Sequence, residues 1–96
     1  MTAFSNRAMA SLKLKKFHAA EADCDAALRL EPAHIKSLQR RATARDALGK
    51  HRAALADLQL ALHSTQTKEL HQQKSAIRDK LRAAATNAPL QALTVT

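Results

Sequence analysis

The chain repeats itself with a period of 34 residues. Ala8, Ala10, Leu14, Ala20, Asp23, Ala27 and Leu28 return as Ala42, Ala44, Leu48, Ala54, Asp57, Ala61 and Leu62. A unit this short cannot bury its apolar face alone and does so by stacking on a neighbour of the same kind. The recurring alanines have a structural reason, since two helices approach closely only where small side chains separate their backbones. The period therefore predicts an all-α helical solenoid whose working surface is the concave face of the stack, with no enclosed catalytic pocket.

Apolar spacing places the helices. Phe4, Ala8 and Leu12, four residues apart, predict a first helix over about residues 2–14. Lys15-Lys16 ends it, and Phe17 opens the turn as an apolar plug. A second helix over about 18–30 buries Ala20, Cys24, Ala27 and Leu28, and Glu31-Pro32 stops it because proline lacks the N–H and disfavours helix at the preceding residue. The third helix, about 34–48, carries Leu38, Ala42 and Leu48 and ends at Gly49 as a C-terminal cap. The fourth, about 51–63, carries Ala54, Leu55, Leu58, Ala61 and Leu62. A fifth, about 67–85, departs from the period. Its face is Leu70, Ile77 and Leu81, and polar residues cover the rest, as the open end of a solenoid requires. The expected division is a repeat over 1–34, a repeat over 35–66, a capping helix over 67–86 and a flexible tail over 87–96.

Composition narrows the function. The net charge is +8 over 96 residues, which implies an acidic partner without choosing between nucleic acid, anionic lipid and acidic peptide. No segment has the length and apolarity of a membrane span. The single Cys24 cannot support a disulfide framework, reads as a small buried hydrophobe and is consistent with a reducing, cytoplasmic setting. The five histidines, at 18, 34, 51, 63 and 71, lack the spacing of a zinc site. No Gly-rich phosphate loop, nucleophile elbow or pair of carboxylates on one face is present, so neither an enzymatic activity nor a metal or cofactor is expected. Glu21 and Asp25 read as solvated. Arg7 and Arg41 read as structural residues lying across helix seams.

Lys36 and Arg40 on an arbitrary helix would read as an ordinary solvated pair, but the period sets Asn6 beside them. Lys36 and Arg40 are four apart on one helix and rise from the same face. Asn6 and Arg40 occupy the same place in successive units, on helices roughly 10 Å apart. An amide, an ammonium and a guanidinium on one patch are matched to carboxylates, with arginine supplying a planar fork of donors and lysine a mobile point charge. The competing class is a basic scaffold in which Arg41, Arg45, Lys68, Lys74, Arg78, Lys80 and Arg82 track phosphates. With only Phe4 and Phe17 as aromatics, such binding would be non-specific and steeply salt-dependent. A protein–protein scaffold or oligomerisation module is the other alternative.

The residues Asn6-Arg7-Ala8, Leu12-x-Leu14, Phe17, Ala20, Asp23-Cys24, Ala27-Leu28 and Pro32 resemble a tetratricopeptide repeat. The second unit keeps most of these positions, with Gln66 in place of the proline. Ser11 and Arg45 stand where the family usually has a large, often aromatic residue. The resemblance covers residues 3–85 and implies the fold already read from the period. Asn6, Lys36 and Arg40 are similar to the last three residues of the five-residue dicarboxylate clamp of co-chaperone domains in this family. Those domains bind the Glu-Glu-Val-Asp tails of the ninety- and seventy-kilodalton heat-shock chaperones. Lys13 matches a position that often carries a basic peptide contact. The stretch from Ser5 to Cys24, with Arg40-Arg41 and Ala44-Arg45, looks most like the RNA polymerase II-associated protein 3 and sperm-associated antigen group. The resemblance also implies a repeat before residue 1, which would supply the other two clamp residues. Without it, the first helix is expected to expose a face through which the chain associates with itself or captures a partner.

Overall fold

A computed structural model describes the backbone of residues 2–95 and the side chains of residues 3–83. Five helices follow one another: α1 Thr2–Lys13, α2 Phe17–Leu30, α3 Ile35–Ala47, α4 His51–Ser64 and α5 Lys68–Val95. Each packs on the next in sequence, and α1 also packs on α3. This is the connectivity of stacked helical hairpins, in which neighbouring units share a core. The expected boundary at residue 86 and the flexible tail over 87–96 fall outside the residues whose side chains are described.

The alanines lie at the helix seams. Ala8, Ala20, Ala27, Ala42, Ala44, Ala54 and Ala61 are all fully buried. Around them Leu28, Leu38, Leu58, Leu62, Leu70 and Ile77 form a continuous core joining α2, α3, α4 and α5, with Ile35 and Leu55 packed at its edge. Ala10 is exposed although its counterpart Ala44 is buried, and Leu14 is exposed where its counterpart Leu48 is half-buried. Position along the stack explains the difference, since α3 has neighbours on both sides.

The turns inside the two units are built alike from different residues. After α1, Lys15 N–H donates to Leu12 O and Lys16 N–H donates to Ser11 O. After α3, Gly49 N–H donates to Asp46 O and Lys50 N–H donates to Arg45 O. This pair of bonds is the Schellman ending, which puts one residue in the left-handed region. Gly49 takes that conformation with φ +82°, while Lys15 is held there at φ +60° in spite of its side chain.

The linkers between units use other devices. Pro32 follows α2, and His34 caps α3, with Nδ1 accepting from Ser37 N–H at 3.3 Å and lying 2.6 Å from Ser37 Oγ. Where the second unit has Gln66 in place of proline, the Gln66 amide donates to the Leu62 carbonyl at the end of α4. Thr67 then opens α5 by accepting from Leu70 N–H at 3.2 Å. A threonine oxygen at this place satisfies a donor that the first turn leaves unpaired.

Candidate functional site

Arg7 reaches from α1 to Asp23 on α2, with Nη2 to Oδ1 at 2.8 Å. One period later Arg41 reaches from α3 to Asp57 on α4, with Nε to Oδ2 at 3.0 Å and Nη2 to Oδ1 at 2.7 Å. Both are seam residues, as the sequence predicts. Arg41 also donates to Asp25 at 2.9 Å, and Arg45 bridges Asp57 at 3.0 Å and Glu21 at 2.8 Å. These two guanidiniums pin α3 between α2 and α4.

Glu21 is therefore tied into the seam between units where the sequence predicts a solvated residue, whereas Asp25 is paired with Arg41 but keeps a side chain 40% exposed. Glu21 is shielded, and its hydrogen bond from Arg45, together with Lys50, holds its carboxyl below the usual range. Hydrogen bonding to Asp57 and then Asp25 raises Arg41 further above its ordinary value. Arg41 and Arg45 are thus committed to carboxylates, and Lys80 pairs with Asp46 at 2.8 Å. Arg41, Arg45 and Lys80, on which the phosphate-tracking alternative relies, therefore have intramolecular partners. Cys24 is buried as expected, and desolvation pushes its thiol up to about 11.

Lys36 and Arg40 line one groove of about 340 Å³ between α1, α3 and α5, together with Met9, Leu12, Gln39, Thr43 and Glu69. Arg40 is half-buried and crosses to α1, where Nη1 donates to both the backbone oxygen and the Oγ of Ser5, each at 2.6 Å. Lys36 is exposed. It makes no ion pair or side-chain hydrogen bond among the described residues. On the α5 side, Gln73 accepts from Gln39 at 3.3 Å and donates to Thr43 at 2.9 Å, fastening the wall of the groove.

Asn6 is exposed on α1, next in sequence to the serine that receives Arg40. It does not line the groove, and neither does Lys13, which is exposed at the end of α1. Sequence reasoning did not single out Ser5 or Glu69. Ser5 could have been noticed as a small polar residue beside Asn6, one period and one residue before Arg40. Glu69 had no such signal, because α5 departs from the period. The arrangement offers a mobile ammonium, a positioned guanidinium and an apolar wall. These groups are chemically suited to an anionic ligand.

No protein-family model matches the chain. Among curated proteins, rat sperm-associated antigen 1 is 42% identical over 69 residues, which is 72% of this chain and 8% of that protein. Among solved structures, the first TPR domain of the human RPAP3 protein superposes with a TM-score of 0.82 at 35% identity, covering 88% of this chain and 67% of that domain. The chain belongs to the tetratricopeptide-repeat family. The first TPR of Spaghetti (RPAP3), solved bound to the HSP90 peptide SRMEEVD, gives a TM-score of 0.80 at 35% identity over 82% of this chain and 64% of that one. These relatives fall in the group that the Ser5–Cys24 stretch resembles. The tetratricopeptide chain spans about a twelfth of the curated relative and about two thirds of each solved domain. Among its described residues no helix is long and apolar enough to cross a membrane, and no cluster of side chains suits a metal ion.

Proposed function

We propose that this tetratricopeptide chain is a non-enzymatic adaptor that binds the acidic C-terminal peptide of a cytoplasmic heat-shock chaperone. The observation that carries the reading is the placement of Lys36 and Arg40 in one groove, with Lys36 uncommitted and Arg40 aimed by Ser5. Binding of the HSP90 peptide SRMEEVD by a domain of the same fold supports it.

In this reading Lys36 and Arg40 hold carboxylates of the terminal aspartate, Asn6 orients them from α1, and Lys13 contacts the peptide further along. Each charge-assisted hydrogen bond contributes about 1.5–3 kcal/mol. Micromolar affinity corresponds to about −8 kcal/mol, so several such bonds and the apolar wall of Met9 and Leu12 are needed together. The exposed side of α1 is where a further repeat or a second copy would stack.

Titration of SRMEEVD against the wild type and a Lys36→Ala/Arg40→Ala variant tests the proposal. The expected result is binding by the wild type, loss of at least tenfold in the variant, and a comparable loss when the peptide is C-terminally amidated. Equal binding by both proteins, or indifference to amidation, overturns the clamp. Salt-steep binding to arbitrary oligonucleotides in place of peptide would favour the phosphate-tracking alternative.

A further inference from the structure

The groove that holds Lys36 and Arg40 also holds a carboxylate. Glu69, in the first turn of α5, is exposed and lines it opposite the two cations. Among the described residues no ion pair engages Glu69, Glu31 or Asp79, whereas Glu21, Asp23, Asp25, Asp46 and Asp57 are held by basic partners, and of the three only Glu69 lines the groove. An uncommitted acid in a groove meant for an acidic tail weakens binding unless the ligand brings a cation to it.

We propose that Glu69 is a specificity residue that selects acidic tails carrying a basic residue upstream of the acidic run. This rests on the clamp reading above. The peptide SRMEEVD has an arginine five residues before its terminal aspartate, so in extended form the two lie within about 17 Å of each other. A tail anchored on Lys36 and Arg40 of α3 thus has the reach to bring that arginine to the α5 side of the same groove. Net charge makes the signal recognisable. The chain carries +8, so a basic residue on a ligand is repelled on average, and only a local carboxylate reverses that sign.

The test measures affinities of wild type and Glu69→Gln for SRMEEVD and for the same peptide with its arginine replaced by alanine, at low salt. Wild type is expected to prefer the arginine peptide about threefold to fivefold, in keeping with an exposed ion pair. Glu69→Gln is expected to lose that preference or reverse it while still binding both peptides. An unchanged preference in Glu69→Gln, or no preference in the wild type, overturns the role of Glu69 and leaves the clamp standing. No binding of either peptide by the wild type overturns the clamp reading and this one with it.

Discussion

Arg41 grips Asp57 through two separate bonds, Nε to Oδ2 and Nη2 to Oδ1, and the pair repeats Arg7–Asp23 one period earlier. The two pairs share a register and differ in surroundings. The Arg7 side chain is 66% exposed, whereas those of Arg41 and Asp57 are 19% and 4% exposed. Asp57 also receives Arg45, so one buried carboxylate balances two guanidiniums at the seam between α3 and α4.

Removing that carboxylate leaves two partly buried cations with one remaining partner each, Asp25 for Arg41 and Glu21 for Arg45. Asp57→Ala is expected to lose about 3 kcal/mol. Asp23→Ala, whose partner can turn into water, is expected to lose about 1 kcal/mol or less. Urea denaturation of both variants checks this, and equal losses would contradict the difference in burial.

The left-handed Lys15 is a second inequality between the units. Glycine takes this conformation freely, as Gly49 does, while a side chain there costs roughly 1–2 kcal/mol. Lys15→Gly is expected to raise stability by about 1 kcal/mol, part of the gain being offset by glycine's greater freedom in the unfolded chain. Thermal melts monitored by circular dichroism read the shift. Gly49→Ala should move the melting point the other way, although a Cβ there meets no neighbour within 4 Å.

These contrasts show how far the sequence carries. The period disclosed the helices, the alanine seams and the roles of Arg7 and Arg41, because each depends on one residue recurring at one place. It could not disclose Glu21 and Asp25 as partners of α3. Their bonds run between units to arginines 24 and 16 residues away, and no repeated pair marks them. Lys15 hides for a related reason, since a Schellman ending is legible where a glycine marks it and not where a lysine fills it. Helical spacing put Lys36 and Arg40 on one face, and both line the groove, but it was the family resemblance that singled them out. Ser5 meets Arg40 across two helices, and α5 has no period to place Glu69.

Glu21 makes stability depend on acid. Its folded carboxyl lies below the ordinary value of 4.5, so its contribution is complete above that value and is lost as pH falls through the lower, folded one. Glu21→Gln is therefore expected to be less stable than wild type at pH 7, with the difference shrinking below about pH 4. Melting points across pH 3–7 measure it, and a constant difference would remove Glu21 as the cause.

Cys24 combines full burial with a thiol pushed up to about 11. Thiolate is the reactive form, so the native chain should resist alkylation at pH 7.5. Iodoacetamide labelling followed by mass spectrometry is expected to be at least tenfold slower than in urea. Rapid native labelling would mean that α2 opens readily.

Ser5 holds the guanidinium on which the proposed clamp depends. Its hydroxyl is one of two acceptors for Arg40 Nη1, the other being its own backbone oxygen, which substitution leaves in place. Ser5→Ala should therefore keep Arg40 near α1 while loosening its aim. One weakened hydrogen bond of about 1 kcal/mol corresponds to a roughly fivefold loss in affinity for SRMEEVD. Ser5→Thr keeps the hydroxyl but adds a methyl at a buried position, so it should restore aim at some cost in stability. The discriminating measurement is the amidated peptide. If Ser5 acts by positioning Arg40 on the terminal carboxylates, the Ser5→Ala loss shrinks once the terminal carboxylate is capped. If Ser5 only supports the α1–α3 contact, both peptides lose affinity equally.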